Sequence, residues 1–426
     1  MVRDLTPLLA ILLLLPAPAS RCQAENWPGW RGPRGDGTSL ESDVPTHWNG
    51  TTGENIAWRT PILGGGHSSA IVWKDQIFVA TCLQQDQSRA LLCVDRHQGT
   101  VVWQRTVLKS PLEKKHKLNS YASGTPVTDG NRVYTAFLEA DFGSQEERTP
   151  GHIVVAAYDL DGQQKWLVRP GRFASIHGFC TSPVLFNNLL IVNGDHDGDS
   201  FVYGLDKETG QTVWKRPRVH KTRSYCTPII RDIEGRTQMV FSGSKCVVSL
   251  DPHDGSEHWR IEGPTEQFVA SLVYDGTLFY LTAGFPERHI LAIKPDGHGN
   301  VTDTHIVWRT TRGCSYVPSP IVEGPYLLVA ADNGIVSCFE AATGHRFWIE
   351  RMAPHYSASA VSANGLVYLT DDEGVTKIVR PGPEHDVVAV NELGERCYSS
   401  AAVSNGQIFF RGEKHLYCIG KQDPRQ

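Results

Sequence analysis

The side chains able to do chemistry in this chain fall into three sets. The first gathers just ahead of short runs of small residues: His67, Tyr121, His177, Arg223, Tyr225, Arg312, Tyr316, His355, Tyr356, Arg396 and Tyr398. Imidazoles, guanidiniums and phenols brought together could bind an anionic ligand, a carbohydrate or a peptide. Kept apart, they would be packing groups and solvated charges. The second set is "NGDHDGDS" (193–200), where Asp195, Asp197 and Asp199 have the spacing of a calcium loop. It lacks the distal glutamate, and Asp and Gly suit a turn between strands anyway, so no metal is expected. The third set is the ten cysteines, which show no CxxC and no Cys/His zinc spacing. No Ser/His/Asp order or carboxylate pair stands out, and no catalytic residue is assigned.

These side chains need elements to hold them, and a repeat supplies the elements. "LDKETGQTVW" (205–214) recurs as "VDRHQGTVVW" (94–103), "YDLDGQQKW" (158–166), "LDPHDGSEHW" (250–259) and "FEAATGHRFW" (339–348). A looser form ends at Trp308, and Trp58 stands before them all. Successive tryptophans lie 45, 63, 48, 45, 49 and 40 residues apart, the period of propeller blades. Val390 is expected where the next tryptophan would fall. The acid and the glycine make a tight turn, and the tryptophan opens the outermost strand of a blade. Trp58, Trp103, Trp166, Trp214, Trp259, Trp308 and Trp348 are thus expected to dock blade against blade.

A second phrase follows each tryptophan: "FCTSPV" (179–184), "YVPSPI" (316–321), "YSASAV" (356–361), "YSSAAV" (398–403) and variants. Its small residues suit innermost strands crowding an axis, which would begin near residues 66, 121, 179, 225, 268, 316, 356 and 398. The eighth unit has only three strands before the chain ends, and "ENIAWRT" (54–60) supplies a fourth. The expected fold is an all-β, eight-bladed β-propeller of four-stranded antiparallel blades, closed by the N-terminal strand completing the C-terminal blade. It would span 54–420, with an extended, surface-wrapping arm over 25–53 and a short tail over 421–426.

Residues 1–24 carry "LTPLLAILLLLPAPAS", an apolar run followed by small residues, which reads as a cleavable secretory signal ending after Ala19 or Ala24. Arg21 before Cys22 does not suit a lipid-attachment box. The chain is therefore expected to be exported, with no membrane span in its mature part. A formal net charge of −5 argues against a nucleic-acid partner. In the third-strand column two residues before the turn acid stand Cys93, Ala157, Gly204, Ser249, Ala292, Cys338, Ile378 and Cys418, so cysteine there acts as a small apolar residue. Cys82 with Cys93, and Cys180 with Cys226, are the disulfide pairings left open.

Asp206, Thr209, Gly210 and Trp214, with Glu340, Thr343, Gly344 and Trp348, resemble the pyrroloquinoline-quinone-type repeat. That resemblance implies a propeller, and it is shared by quinoprotein dehydrogenases and by non-catalytic BamB-like envelope scaffolds. "WPGWRGPRGDG" (27–37) also resembles the opening of secreted propellers of planctomycete-like bacteria. The sequence has no adjacent cysteine pair, and Glu266 and Glu395 are expected to be the acids nearest the channel mouth. The expectation is a non-catalytic binding or scaffolding module for protein partners in the cell envelope, without cofactor. The alternative is a quinoprotein-like oxidoreductase holding pyrroloquinoline quinone in the channel.

Overall fold

A computed structural model describes residues 25–143, 146 and 148–421. Residues 1–24, on which the expected signal and Cys22 fall, and residues 422–426 of the expected tail lie outside the described residues. Eight sheets, each built on a meander of four antiparallel strands, form the ring of an all-β propeller, and two of them add a short parallel strand, Thr38–Ser39 and Gly299–Asn300. The innermost strands are Ile71–Trp73, Val127–Thr128, Val184–Phe186, Ile229–Ile233, Val273–Tyr274, Ile321–Glu323, Val361–Ala363 and Ala402–Ser404, which open blades 1 to 8. They start about five residues later than the phrase predicts. The residues ahead of them are extended but cross from blade to blade, so their backbone bonds leave the sheet.

Blade 8 takes its outer strand from the N-terminus. Ile56–Pro61 pairs antiparallel with His415–Ile419, in the register Trp58 to Cys418. This joins the two ends of the ring and covers the edge of His415–Ile419 that would otherwise stay open.

The repeated motif is explained by what faces each tryptophan. In register opposite Trp103, Trp166, Trp214, Trp259, Trp308, Trp348 and Trp58 lie Cys93, Ala157, Gly204, Ser249, Ala292, Cys338 and Cys418. Each is small because an indole occupies the space across from it. The indole also lies under the turn glycine of the next blade. A Cβ built on Gly99, Gly162, Gly210, Gly255 or Gly344 would come within 2.6–2.9 Å of the rings of Trp58, Trp103, Trp166, Trp214 and Trp308 respectively. The same indoles donate Nε1–H to a carbonyl of that turn: Trp58 to Arg96, Trp103 to Leu160, Trp166 to Lys207, Trp214 to Pro252, Trp308 to Ala341 and Trp348 to Gly382, at 2.7–3.1 Å. Trp259 instead donates to Gln238 Oε1 at 2.8 Å, and Gln238 Nε2 carries the link to Pro295 of the next blade. Acid, glycine and tryptophan are thus parts of one joint, repeated around the ring except in blade 7.

Blade 7 corrects the expectation for Val390. Its register pairs Ile378 with Ala389, so Ala389 holds the tryptophan position and Val390, 60% exposed, faces outward. Sizes are exchanged there: the small-residue column holds its largest member, Ile378, opposite an alanine. An indole still fills this seam, because Trp48 of the arm is buried in the same cluster, 6.1 Å from the Phe410 ring, with its backbone N–H on Asn391 Oδ1.

The arm also departs from the surface path expected of it. Trp27 exchanges two backbone bonds with Val72 of blade 1, and Pro28 accepts from Thr128 of blade 2. Thr38–Ser39 pairs in parallel with Val361–Ala363 of blade 7. Arg31, fully buried, donates to the carbonyls of Pro320 in blade 6, Ala360 in blade 7 and Asp36. Asp36 takes Arg231 Nη2 of blade 4 at 2.8 Å, which ties the arm to a fifth blade. The Gly- and Pro-rich stretch therefore spans the axis and closes the end of the channel toward which the inner strands run.

Candidate functional site

The opposite end of the channel is open. The outer-to-inner connections meet there, joined by the hairpins between second and third strands. They surround a cavity of about 390 Å³. Trp30 of the arm lines it on the sealed side. Each blade contributes one hydroxyl to a belt around it, Ser69, Thr125, Ser182, Thr227, Ser271, Ser319, Ser359 and Ser400, and all of these but Ser271 and Ser319 line the cavity. Seven of the eight steps between them are made by a backbone N–H donating to the next blade's hydroxyl, at 2.9–3.1 Å. At the remaining step, Asn193 Nδ2 donates to Cys226 O instead. The belt was legible as a column of Ser and Thr, but its small size explained it equally well.

Of the eleven side chains singled out from sequence, His67, His177, Tyr225, Tyr316, His355 and Tyr398 line the cavity. His67 lies 4.5 Å from the Tyr398 ring, and His177 is edge-on to His116 at 5.9 Å. Burial, with Lys115 and Arg411 nearby, holds the His67 imidazole down at about 4. Burial, Arg223 and His116 do the same to His177, also about 4. Both rings are neutral at pH 7 and can donate or accept hydrogen bonds. His355 bonds through Nδ1 to Asp372 Oδ2 at 2.7 Å. Tyr225 shares a 2.6 Å hydrogen bond with Ser175, and burial raises its phenol.

The other five do not line it. Tyr356 is buried between blades 6 and 7, and Tyr121 packs into the blade 1–2 core under Lys115. Arg223 is held by both oxygens of Asp197 at 2.8 Å. Arg312 and Arg396 point to solvent, the latter toward Glu373 at 3.7 Å. The cavity gains residues that sequence reasoning missed. His116, Leu118 and Asn119 come from a long connection pinned by the buried Arg89–Glu113 pair, and Arg288 and Asp332 from hairpins. The nearest acids are therefore Asp332 and Asp372, not Glu266 and Glu395. Glu266 pairs outward with Lys245, and Glu395 receives His415. Only the fold could show this, because Asp332 and Asp372 sit in tight hairpins where an Asp reads as turn chemistry.

The aspartates of 193–200 are each matched to a cation: Asp195 to Arg218, Asp197 to Arg223 and Asp199 to Lys221. No group of three metal-type ligands occurs among the described residues. Cys82 lies opposite Arg89 and Cys93 opposite Phe78, four rows apart, so they cannot bridge. The nine described cysteines are free thiols, and burial pushes Cys180, on the cavity wall, up to about 12.

Comparison with known proteins gives the fold a family. No curated protein matches the chain by sequence. BamB from Moraxella catarrhalis superposes with a TM-score of 0.57 at 14% identity, over 86% of this chain and 97% of that one. The computationally designed Ika8 protein gives 0.58 at 12%, over 85% and 100%. A europium-containing methanol dehydrogenase gives 0.51 at 12%, over 93% and 98%. At these identities the likeness is one of fold. The family model described as outer membrane protein assembly factor BamB matches residues 44–172 and 91–350. With its joint motif, its eight blades and that match, the chain belongs to the BamB-type family of pyrroloquinoline-quinone-repeat β-propellers.

Proposed function

We propose that the protein is exported and works as a docking module, its open face holding a protein partner in the cell envelope, without chemistry of its own. The observation that carries this is the asymmetry of exposed apolar side chains. Among the described residues, apart from those on outer strands, the large exposed hydrophobics are Leu40 on the arm and five on connections of the open face: Leu63, Leu118, Phe142, Val219 and Phe285. Leu63, Phe142 and Val219 are 71%, 92% and 85% exposed. Such groups around a cavity rim offer anchors to a protein surface. The description of the family as an outer-membrane assembly factor supports an envelope setting.

Quinone chemistry is the reading this proposal displaces. A quinone cofactor would need a cation held by carboxylates and a free base beside the substrate. Here Asp332 spends both oxygens on the backbone N–H groups of Tyr316 and Val317, and Asp372 Oδ2 is taken by His355 and Ser357. Asp372 Oδ1 alone among these four oxygens has no hydrogen-bond partner, and a single oxygen is a poor seat for a cation, which supports the reading without the cofactor. Tagged protein carrying Leu63→Glu, Val219→Glu and Phe285→Glu should fold normally yet lose capture of its envelope partner, while Leu40→Glu keeps it. Equal capture by both would refute the docking face. Stoichiometric uptake of pyrroloquinoline quinone with calcium, followed by dye-linked turnover, would refute the non-catalytic part.

A further inference from the structure

Every polar backbone and carboxylate atom of Glu25 is engaged. Its N–H donates to Glu41 Oε1 at 2.8 Å, and its carbonyl accepts from Ser404 Oγ. Its carboxylate takes Arg34 Nη1 and Nη2 at 2.7 and 2.8 Å and the N–H of Leu40 at 2.9 Å. Glu41 is 0% exposed and also accepts the N–H groups of Asn405 and Gly406, at 2.5 and 2.6 Å. No lysine, arginine or histidine pairs with it among the described residues. A carboxylate this deep, surrounded by backbone donors and without a cation, is costly to bury. The atom that could supply the missing charge is the Glu25 nitrogen, and the residues before it end in the small Ala24.

We propose that the Ala24–Glu25 peptide bond is hydrolysed during export, and that the freed α-ammonium of Glu25 forms a buried ion pair with Glu41. An envelope endopeptidase adds water across the bond. Ala24 leaves as a carboxylate, and Glu25 keeps an amine that takes a proton at neutral pH, its ordinary pKa being about 8. An amide N–H becomes a charge-assisted donor to a carboxylate already in place. The arm is then fastened to the turn of blade 8 at its first atom, next to where Trp27 and Arg31 close the channel. The inference rests on the export reading for the agent of cleavage but not for the ion pair.

Two experiments test it. N-terminal sequencing of the protein recovered from its native envelope or medium should begin at Glu25. A start at Ser20 overturns the inference and leaves export standing, whereas retained Met1 overturns both. Separately, residues 25–426 are released from a cleavable fusion so that Glu25 bears its free amine, and compared with the same chain retaining Ala24, each with and without Glu41→Gln. The extra residue should lower Tm by several degrees, and Glu41→Gln should remove most of that difference. An unchanged difference overturns the pair. Should Glu41→Gln not fold, reductive methylation decides. The Glu25 amine should react about tenfold more slowly than the Ala24 amine, as a paired ammonium with a raised pKa does, and equal rates overturn the pair.

Discussion

Replacing Gly210 with alanine separates the two demands that the repeat places on its glycine, because another turn glycine carries only one of them. Gly210 has φ +75°, and a Cβ there would stand 2.8 Å from the Trp166 ring and 2.9 Å from Val168 Cγ1. Gly235 has φ +78° with nothing within 4 Å of the same point. Alanine at Gly235 should therefore cost only the left-handed backbone, about 1–2 kcal/mol. At Gly210 the same cost adds to about 1–3 kcal/mol of overpacking, since the ring is held by its bond to Lys207 and cannot retreat, giving about 2–5 kcal/mol in all. Urea unfolding at unchanged m-value measures both, and a Trp166→Ala background should erase the excess at Gly210. If Gly210→Ala proves no worse than Gly235→Ala, the indole does not constrain the turn, and the account of the motif given above is wrong.

Other outcomes follow from the same geometry. Trp48→Ala should destabilise by about 3–5 kcal/mol, as removal of a buried indole does, although Trp48 lies outside the repeat; a thermal melt within a degree of the parent would show that the blade 7–8 seam does not need it. Cys93→Ala should be tolerated, whereas Cys93→Leu, opposite Trp103, should cost about 1–3 kcal/mol by overpacking, read from the same urea curves. His67 has a folded pKa of about 4 against about 6.5 unfolded, so the unfolded chain binds more protons between those values. Stability should be full above about pH 6.5 and fall as pH drops toward 4, by up to about 3 kcal/mol, and His67→Asn should flatten that slope in melts across the window. A slope that rises toward acid would contradict the buried neutral imidazole.

The parts of the fold legible in sequence were those repeated in it. Acid, glycine and tryptophan recur with a period, and one physical joint explains each of them. Ala389 was missed for a related reason. Counting from Trp348 lands on Val390, and a slip of one residue on a strand turns the side chain to the other face. The destination of the arm was not legible, because Gly and Pro announce an extended path without saying where it leads. Arg31 ends on backbone carbonyls of blades 6 and 7, which carry no sequence signal at all. The candidate site divides the same way. Some side chains singled out near the phrase reached the cavity, as at His67 and Tyr398. Arg312 and Arg396 missed it because nothing in the spacing fixes which way a residue in a connection points.

The closure of blade 8 also sets an order on how the protein is made. Trp58 and the arm emerge more than three hundred residues before their partners Cys418, Ser404 and Asn405. Until then the strand Ile56–Pro61 has no sheet to join, and Trp48 has no Phe410 ring to pack against. Blades 1 to 6 can form from contacts within and between neighbours, but the ring cannot shut without a pairing across nearly the whole chain, the slowest kind of contact to find. A chain stalled or clipped before residue 402 would therefore hold the strand Ile56–Pro61 without its partner in an unclosed ring, and would tend to pair that strand with the sheet of another copy.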